Sequence, residues 1–378
     1  MLFHHDARNY EEAASAAADN ARRKMQEMID KGKAKVGSMI KGISTRKIDD
    51  RIIDIGDIEW DSTATGVRIV PRKGNDEPRL LHRHALQQAT DRLHVPIKYV
   101  EYLQTLGEDG HRIAAMNLAR LAALRPKEKV LLRRDQSHDR VLGFLSDRYR
   151  RIDTPTTLDA FAQACHKIGA VPVEGYTGMH TRTCIKALLP VIFEPVKNEV
   201  LCLGLMFENS DYGDGACNVR VFILRLWCTN FAITENALRE IHLGKRLSDN
   251  IEFSQKTYEL DAQATASAIT DVVGSHLSPD GVNRVLGAIK EAHEANVDPK
   301  QIDAWLKKNL TKEKAEMVKN AFVSADIENL PAGQNAWRLS NALSWIANQT
   351  EDEYDKLDLM KLAGKAADVK QVAGLLAA

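Results

Sequence analysis

The sequence predicts an α+β protein: a central antiparallel β-sheet with packed helices, followed by an all-helical C-terminal region. Three observations lead there. Strand-like runs follow one another between about residues 130 and 230 instead of alternating with helices, which separates α+β from α/β. Helical periodicity dominates before and after that stretch. The 378 residues exceed what one hydrophobic core usually organises, so three regions are expected: a helical, basic extension over 1–50, an α+β core over 51–258 and a helical region over 259–378.

Residues 10–36 are rich in Ala, Glu, Lys and Met and so helix-prone, but their apolar stripe is weak. Gly32, Gly37 and Gly42 interrupt its end, so a peripheral helix and a mobile basic linker are expected. Residues 51–70 alternate like short strands, and "RKGNDEPR" is a turn. From 80 to 124 the pattern is helical. Pro96 suits the first turn of a helix carrying Ile97, Val100, Tyr102 and Leu103. A second helix carries Ile113, Met116, Leu118, Leu121 and Leu124 and stops at Pro126.

"VLLRRDQSHDRVLGFLSD" reads as two strands around a polar turn at Asp135–Asp139. Thr154 as N-cap and Pro155 as first residue begin a helix through Leu158, Phe161, Ala162, Cys165 and Ile168, which Gly169 terminates. "TCIKALLPVIFEPV", "EVLCLGLMFENS" and "NVRVFILRLWCTN" form an antiparallel meander with turns at 197–198 and 210–215. "TENALREIHLGKRL" is expected to begin a helix, and everything after 258 is helical. Ser278–Pro279 and Asp298–Pro299 mark starts, and Thr350 with Glu353 makes a capping-box pattern.

Composition excludes little by itself: 44% hydrophobic, 28% charged, formal net charge zero. The distribution is more informative. Residues 1–234 hold 35 basic and 30 acidic side chains, and residues 235–378 hold 17 and 22. Arg22–Lys47 has nine basic and two acidic residues, and Arg112–Arg151 has eleven and four. A polyanion would meet the first two-thirds of the chain. Five cysteines, an odd number with no CxxC spacing, argue against a disulfide framework or zinc ribbon. No signal-peptide core or long apolar run is present, so a cytoplasmic protein without membrane contact is expected.

No P-loop, GxGxxG, HExxH or GxSxG motif occurs, and no catalytic residue, metal or cofactor is assigned. His82 and His84 stand two apart on a helix, poor ligand spacing. Glu208, Asp211 and Asp214 share one turn and form the weak metal alternative. The stronger signal is basic. Arg133, Arg134, Arg140, Arg148, Arg150 and Arg151 fall in or beside two adjacent strands, with Tyr149 among them. Arginine supplies a planar fork for phosphate, and tyrosine a face on which a base stacks. Period two places Arg148 and Arg150 on one face, with Tyr149 and Arg151 on the other. Lys186 and Arg225, on meander strands, are weaker candidates, because a charge among apolar neighbours needs a partner or an opening.

"RVLGFLSDRYRRIDTPTTLDAF" together with "VRVFILRLWCTNFAI" resembles the phage/plasmid-like protein family, a numbered domain of unknown function (nine-three-two). The shared features are Arg140, Ser146, Asp147, Arg148, Tyr149, Ile152 and Asp153, then Cys228, Thr229 and Asn230; Phe231 stands where members commonly carry Gly. The resemblance implies a mobile-element origin in a bacterial host and no settled activity. More remotely, the element order is similar to that of single-strand annealing proteins of the Red-beta and Erf type.

These readings converge on a non-enzymatic protein that binds and anneals single-stranded DNA as an oligomeric ring or filament, without nucleotide hydrolysis. Its acidic C-terminal region would recruit single-strand-binding protein. Two alternatives stand beside it: an interaction or host-defence-antagonist protein of a mobile element, and a metal-dependent nucleic-acid enzyme.

Overall fold

The computed structural model describes residues 10, 12–73, 77–178, 181–226, 230–240, 254–324, 327 and 330–376. A long helix, α1 (Ala16–Ser44), opens the chain. It leads to β1 (Ile48–Asp54), β2 (Ile58–Thr63), β3 (Gly66–Pro71) and β4 (Arg79–Leu81), then to helices α2 (Arg83–Arg92), α3 (Ile97–Thr105) and α4 (Glu108–Ala123). Strands β5 (Lys129–Asp135), β6 (Arg140–Val141) and β7 (Gly143–Ser146) precede α5 (Thr154–Lys167). Next come β8 (Val171–Gly178), β9 (Arg182–Leu188), β10 (Phe193–Val196), β11 (Glu199–Asn209), β12 (Cys217–Arg225) and β13 (Asn230–Glu240). The C-terminal helices are α6 (Gln255–His276), α7 (Pro279–Glu294), α8 (Pro299–Asn309), α9 (Lys312–Val323), α10 (Ala336–Asn348) and α11 (Glu353–Ala366). The α+β class and the helical C-terminal region are as the sequence predicts.

The main sheet has the order β13-β12-β11-β9-β8, all antiparallel, with β10 paired to β11. Every position of β11 is buried, because helices cover both faces. On one face Phe161 of α5 lies 5.5 Å from Phe207, and Val36 and Met39 of α1 sit over Gly175. On the other, Tyr354 of α11 reaches Arg182 and Asp214. Two smaller sheets, β1-β5-β7 and β2-β3-β4-β6, lie earlier in the chain.

The hydrophobic contacts divide the molecule differently from the three regions read off the sequence. One core unites α1, α5, the main sheet and the C-terminal helices. A second gathers Ile53 to Phe144 from the small sheets with α2, α3 and α4. The N-terminal helix is therefore an integral layer. Its buried positions Ala18, Ala21, Met25, Ile29, Gly32 and Val36 recur every three or four residues. The stripe is built largely of small residues, which made it look weak in sequence. Gly32 lies inside the helix because a Cβ there would stand 2.1 Å from the Val173 carbonyl oxygen.

Three local expectations are corrected. Residues 234–240 belong to strand β13, not a helix, because register with β12 offers them a ladder over Cys217–Arg220; residues 241–247 of that expected helix lie outside the described residues. Strand β8, absent from the elements the sequence predicts, pairs with β9 along its length. Asp352, not Thr350, caps α11, accepting from Asp355 N at 2.8 Å. Among the described residues no helix is long and apolar enough to cross a membrane.

Candidate functional site

The chain leaves β7 at Ser146 and turns at residues 147–149, so strand alternation does not govern Arg148–Arg151. Instead the segment threads between the small sheets and the β11–β12 turn. Tyr149 is buried; its hydroxyl donates to Ser210 O at 3.0 Å. Asn209 Nδ2 donates to Ile152 O at 2.7 Å and to Thr154 Oγ1 at 3.0 Å. Thr154 N donates to Asp211 Oδ1 at 2.6 Å. Asp211 thus satisfies the start of α5 from a distant turn, while Asp153, and not the expected Thr154, stands at the N-cap position and makes no side-chain cap bond.

Asp153 is occupied by Arg133. That guanidinium is 1% exposed and donates to Asp50 at 2.7 Å, Asp153 at 2.6 Å and the Asp211 carbonyl at 2.9 Å. Burial alone would lower its pKa, but Asp153 and Asp50 outweigh that and hold it firmly charged. Arg151 donates to Asp50 at 2.5 Å and lies 3.9 Å above the Tyr258 ring. Arg150 grips both oxygens of Asp261 at 2.6 and 2.8 Å. Arg46 brings the end of α1 in, 3.1 Å from Asp135 and 3.7 Å from Asp211.

This geometry corrects the expected cationic track. Arg133, Tyr149, Arg151, Lys186 and Arg225 are buried. Lys186 pairs with Glu174 at 2.9 Å, and Arg225 with both oxygens of Glu199 at 2.6 and 2.8 Å. Arg134 is half-buried against Asp49 at 2.5 Å, and Arg150 is half-buried on Asp261. Only Arg140 and Arg148 of the nine are exposed, and neither has a side-chain partner among the described residues. Register separates them. Val130 faces Ser146 while Arg133 faces Gly143, so Arg148 follows the opposite end of the sheet from Arg134 and Arg140. The buried charges were predicted as ligands because their carboxylates lie far away in sequence, as Asp50 does from Arg133.

Each member of the acidic turn also serves its own chain. Glu208, fully buried, holds Arg182 at 3.0 Å and Arg220 at 2.8 Å. Asp214 accepts from Thr181 at 2.8 Å and Tyr354 at 3.0 Å. Among the described residues no three His, Cys, Asp or Glu side chains are placed to hold a metal. His82 caps α2, and His84 Nε2 lies 2.9 Å from Tyr212 O.

A cleft that the sequence reading missed lies between the two small sheets. Arg51 and Arg134 line one wall, Arg79 the other, with Ile69, Leu132 and Val141 as the apolar lining. Asp49 and Glu77 also border it. Antiparallel register sets Arg51 beside Leu132, Asp49 beside Arg134 and Ile69 beside Arg79. Arg134 is paired, and Arg51 donates to Lys73 O. Arg79 is half-buried, and its guanidinium makes no hydrogen bond or ion pair among the described residues. The cleft is small, with a volume of about 40 Å³, room for a few waters. In sequence, Arg51 and Arg79 stand apart in unremarkable strands; the cue was an arginine alternating with apolar positions.

Compared with protein-family models, curated proteins and solved structures, the chain finds no match. The likeness carried by Arg140–Asp153 therefore stays a resemblance; Cys228 and Thr229 lie outside the described residues.

Proposed function

We propose that the chain is a non-enzymatic protein that holds a single-stranded polynucleotide by its phosphates, with the cleft around Arg79 as the contact. The observation that carries this reading is a half-buried guanidinium that makes no ion pair among the described residues, in a small cleft lined also by Arg51 and Arg134. A desolvated cation is costly unless an anion compensates it, and arginine's fork matches two phosphate oxygens. Arg140, paired in register with Leu80 beside Arg79, gives the strand a second exposed cation. With the phosphates held there, the bases would remain available to a complementary strand. Such a protein would anneal strands without hydrolysing nucleotide. The resemblance to phage/plasmid-like proteins supports a mobile-element setting in a bacterial cytoplasm, with an oligomer on DNA as the working form.

The test is a salt titration with a labelled oligonucleotide. Wild type should lose affinity linearly in log salt, and Arg79→Ala should flatten the slope by about 0.7, the share of one single-strand phosphate. Arg79→Ala with Arg140→Ala should flatten it by about twice that. An oligonucleotide not retained even at low salt would end the reading.

A further inference from the structure

Helices α3 and α4 form an antiparallel hairpin. Asn117 Nδ2 donates to Tyr99 Oη at 3.0 Å near the open end. At the closed end Gly110 lies so near the Leu103 carbonyl that a Cβ would stand 1.7 Å from its oxygen. The inner face carries Val100, Leu103, Ala114, Ala115 and Leu118 into the smaller core. The outer face is apolar as well. Tyr102 is 61% exposed and Leu106 51%, with Tyr99, Ile113 and Met116 also exposed. Their spacing, 99-102-106 and 113-116, gives one stripe on each helix. Exposed apolar side chains grouped on one element and rimmed by polar residues mark an interaction surface.

The ends of the hairpin differ in charge. Lys98 and Arg120 are exposed at the open end and Glu108 at the closed end. None of the three has an ion-pair partner among the described residues, whereas Arg83–Glu101 and Arg112–Asp109 are satisfied pairs nearby. A copy of the same hairpin turned by a two-fold axis sets Lys98 and Arg120 opposite the other copy's Glu108, and the converse. An isologous contact requires that self-complementarity. We propose that the outer face of the α3–α4 hairpin binds the same face of a second copy, antiparallel, as a four-helix layer. The apolar stripes supply the contact and the unpaired charges set its direction. The contact stands independently of the Arg79 cleft.

Sedimentation of the full chain across the micromolar range tests it. Wild type should show a concentration-dependent dimer. Tyr102→Glu and Met116→Glu should each raise the dissociation constant at least about tenfold with unchanged circular dichroism. Lys98→Glu with Arg120→Glu should weaken the dimer, and adding Glu108→Lys should restore it, because inverting both ends recreates the match. Arg79→Ala should leave dimerisation unchanged. A wild-type mass that stays monomeric overturns the proposal, whether or not Tyr102→Glu abolishes oligonucleotide retention. An assembly indifferent to Tyr102 and Met116, or a charge reversal that Glu108→Lys does not rescue, also overturns it.

Discussion

Asp211 accepts the Thr154 amide while buried within 4 Å of Arg46, so one carboxylate serves both a helix end and a charge network. Burial, with Asp153 adding repulsion, pushes its pKa up from 3.8 to about 6, against the pull of Arg133, the Thr154 amide and Arg46. Between those values the folded chain holds more protons at this site than the unfolded chain. The stability this group contributes is full below pH 3.8 and is lost as pH rises through about 6. Asn cannot titrate, and its Oδ1 can still accept from Thr154. Asp211→Asn should therefore gain stability relative to wild type as pH rises from about 4 to 7, seen as a widening difference in urea midpoints. A difference that stays flat or narrows would show that Asp211 is ionised in the folded state throughout. At this scale the sequence displayed the arginines, the tyrosine and the acidic turn as separate motifs. It did not display that they are one another's partners, because Asp50–Arg133 and Tyr149–Ser210 are joined only by the fold.

The two glycines of α1 separate tertiary demand from local propensity. Gly37 faces open space, and Gly32 faces the backbone of β8 at Val173. Gly37→Ala should stabilise the chain by up to about 1 kcal/mol, the propensity difference in a helix interior. Gly32→Ala must push α1 off the sheet and should cost more than that propensity returns, by about 1–3 kcal/mol as for an overpacked core. Thermal midpoints of the two variants should move in opposite directions; movement together would mean that α1 docks loosely. Elements with dense apolar periodicity were legible, as β9, β11 and β12 show. Two kinds of element were not. The α1 stripe hides in alanines and glycine, and β13 carries helix-prone residues that follow β12 because a sheet edge offered hydrogen bonds. The α3–α4 periodicity was also legible, but not that Tyr102, Ile113 and Met116 point away from the core.

Across the whole molecule, the two large hydrophobic cores meet at a charge network built on the buried Arg133 and Arg151, and this sets how the chain should unfold. Asp50, on β1 beside the smaller core, holds Arg133 on β5 and Arg151 on the segment entering α5. Arg133 continues to Asp153 and to the Asp211 carbonyl on the β11–β12 turn. Neither large core can separate without exposing or stranding these charges, so wild type should melt in one calorimetric transition although its apolar contacts form two large clusters and a small one of Leu131, Leu145 and Tyr149. Asp50→Asn keeps the shape and removes the charge. It leaves Arg151 over the Tyr258 ring without its carboxylate and Arg133 with Asp153 and the Asp211 carbonyl, at a cost of about 1.5–3 kcal/mol, the range for a hydrogen bond to a charged group, because Asp50 itself is exposed. Because that cost falls on the junction, the variant should melt in two steps, with the smaller core, Ile53 to Phe144, unfolding first. Two resolved transitions already in wild type, or one transition merely shifted down in the variant, would mean that the network stabilises the fold without coupling its halves. A coupled junction would also make the Arg79 cleft, built on the smaller core, sensitive to changes in the Arg133–Asp153 contact; oligonucleotide affinity of Asp50→Asn, measured below its first transition, should fall relative to wild type.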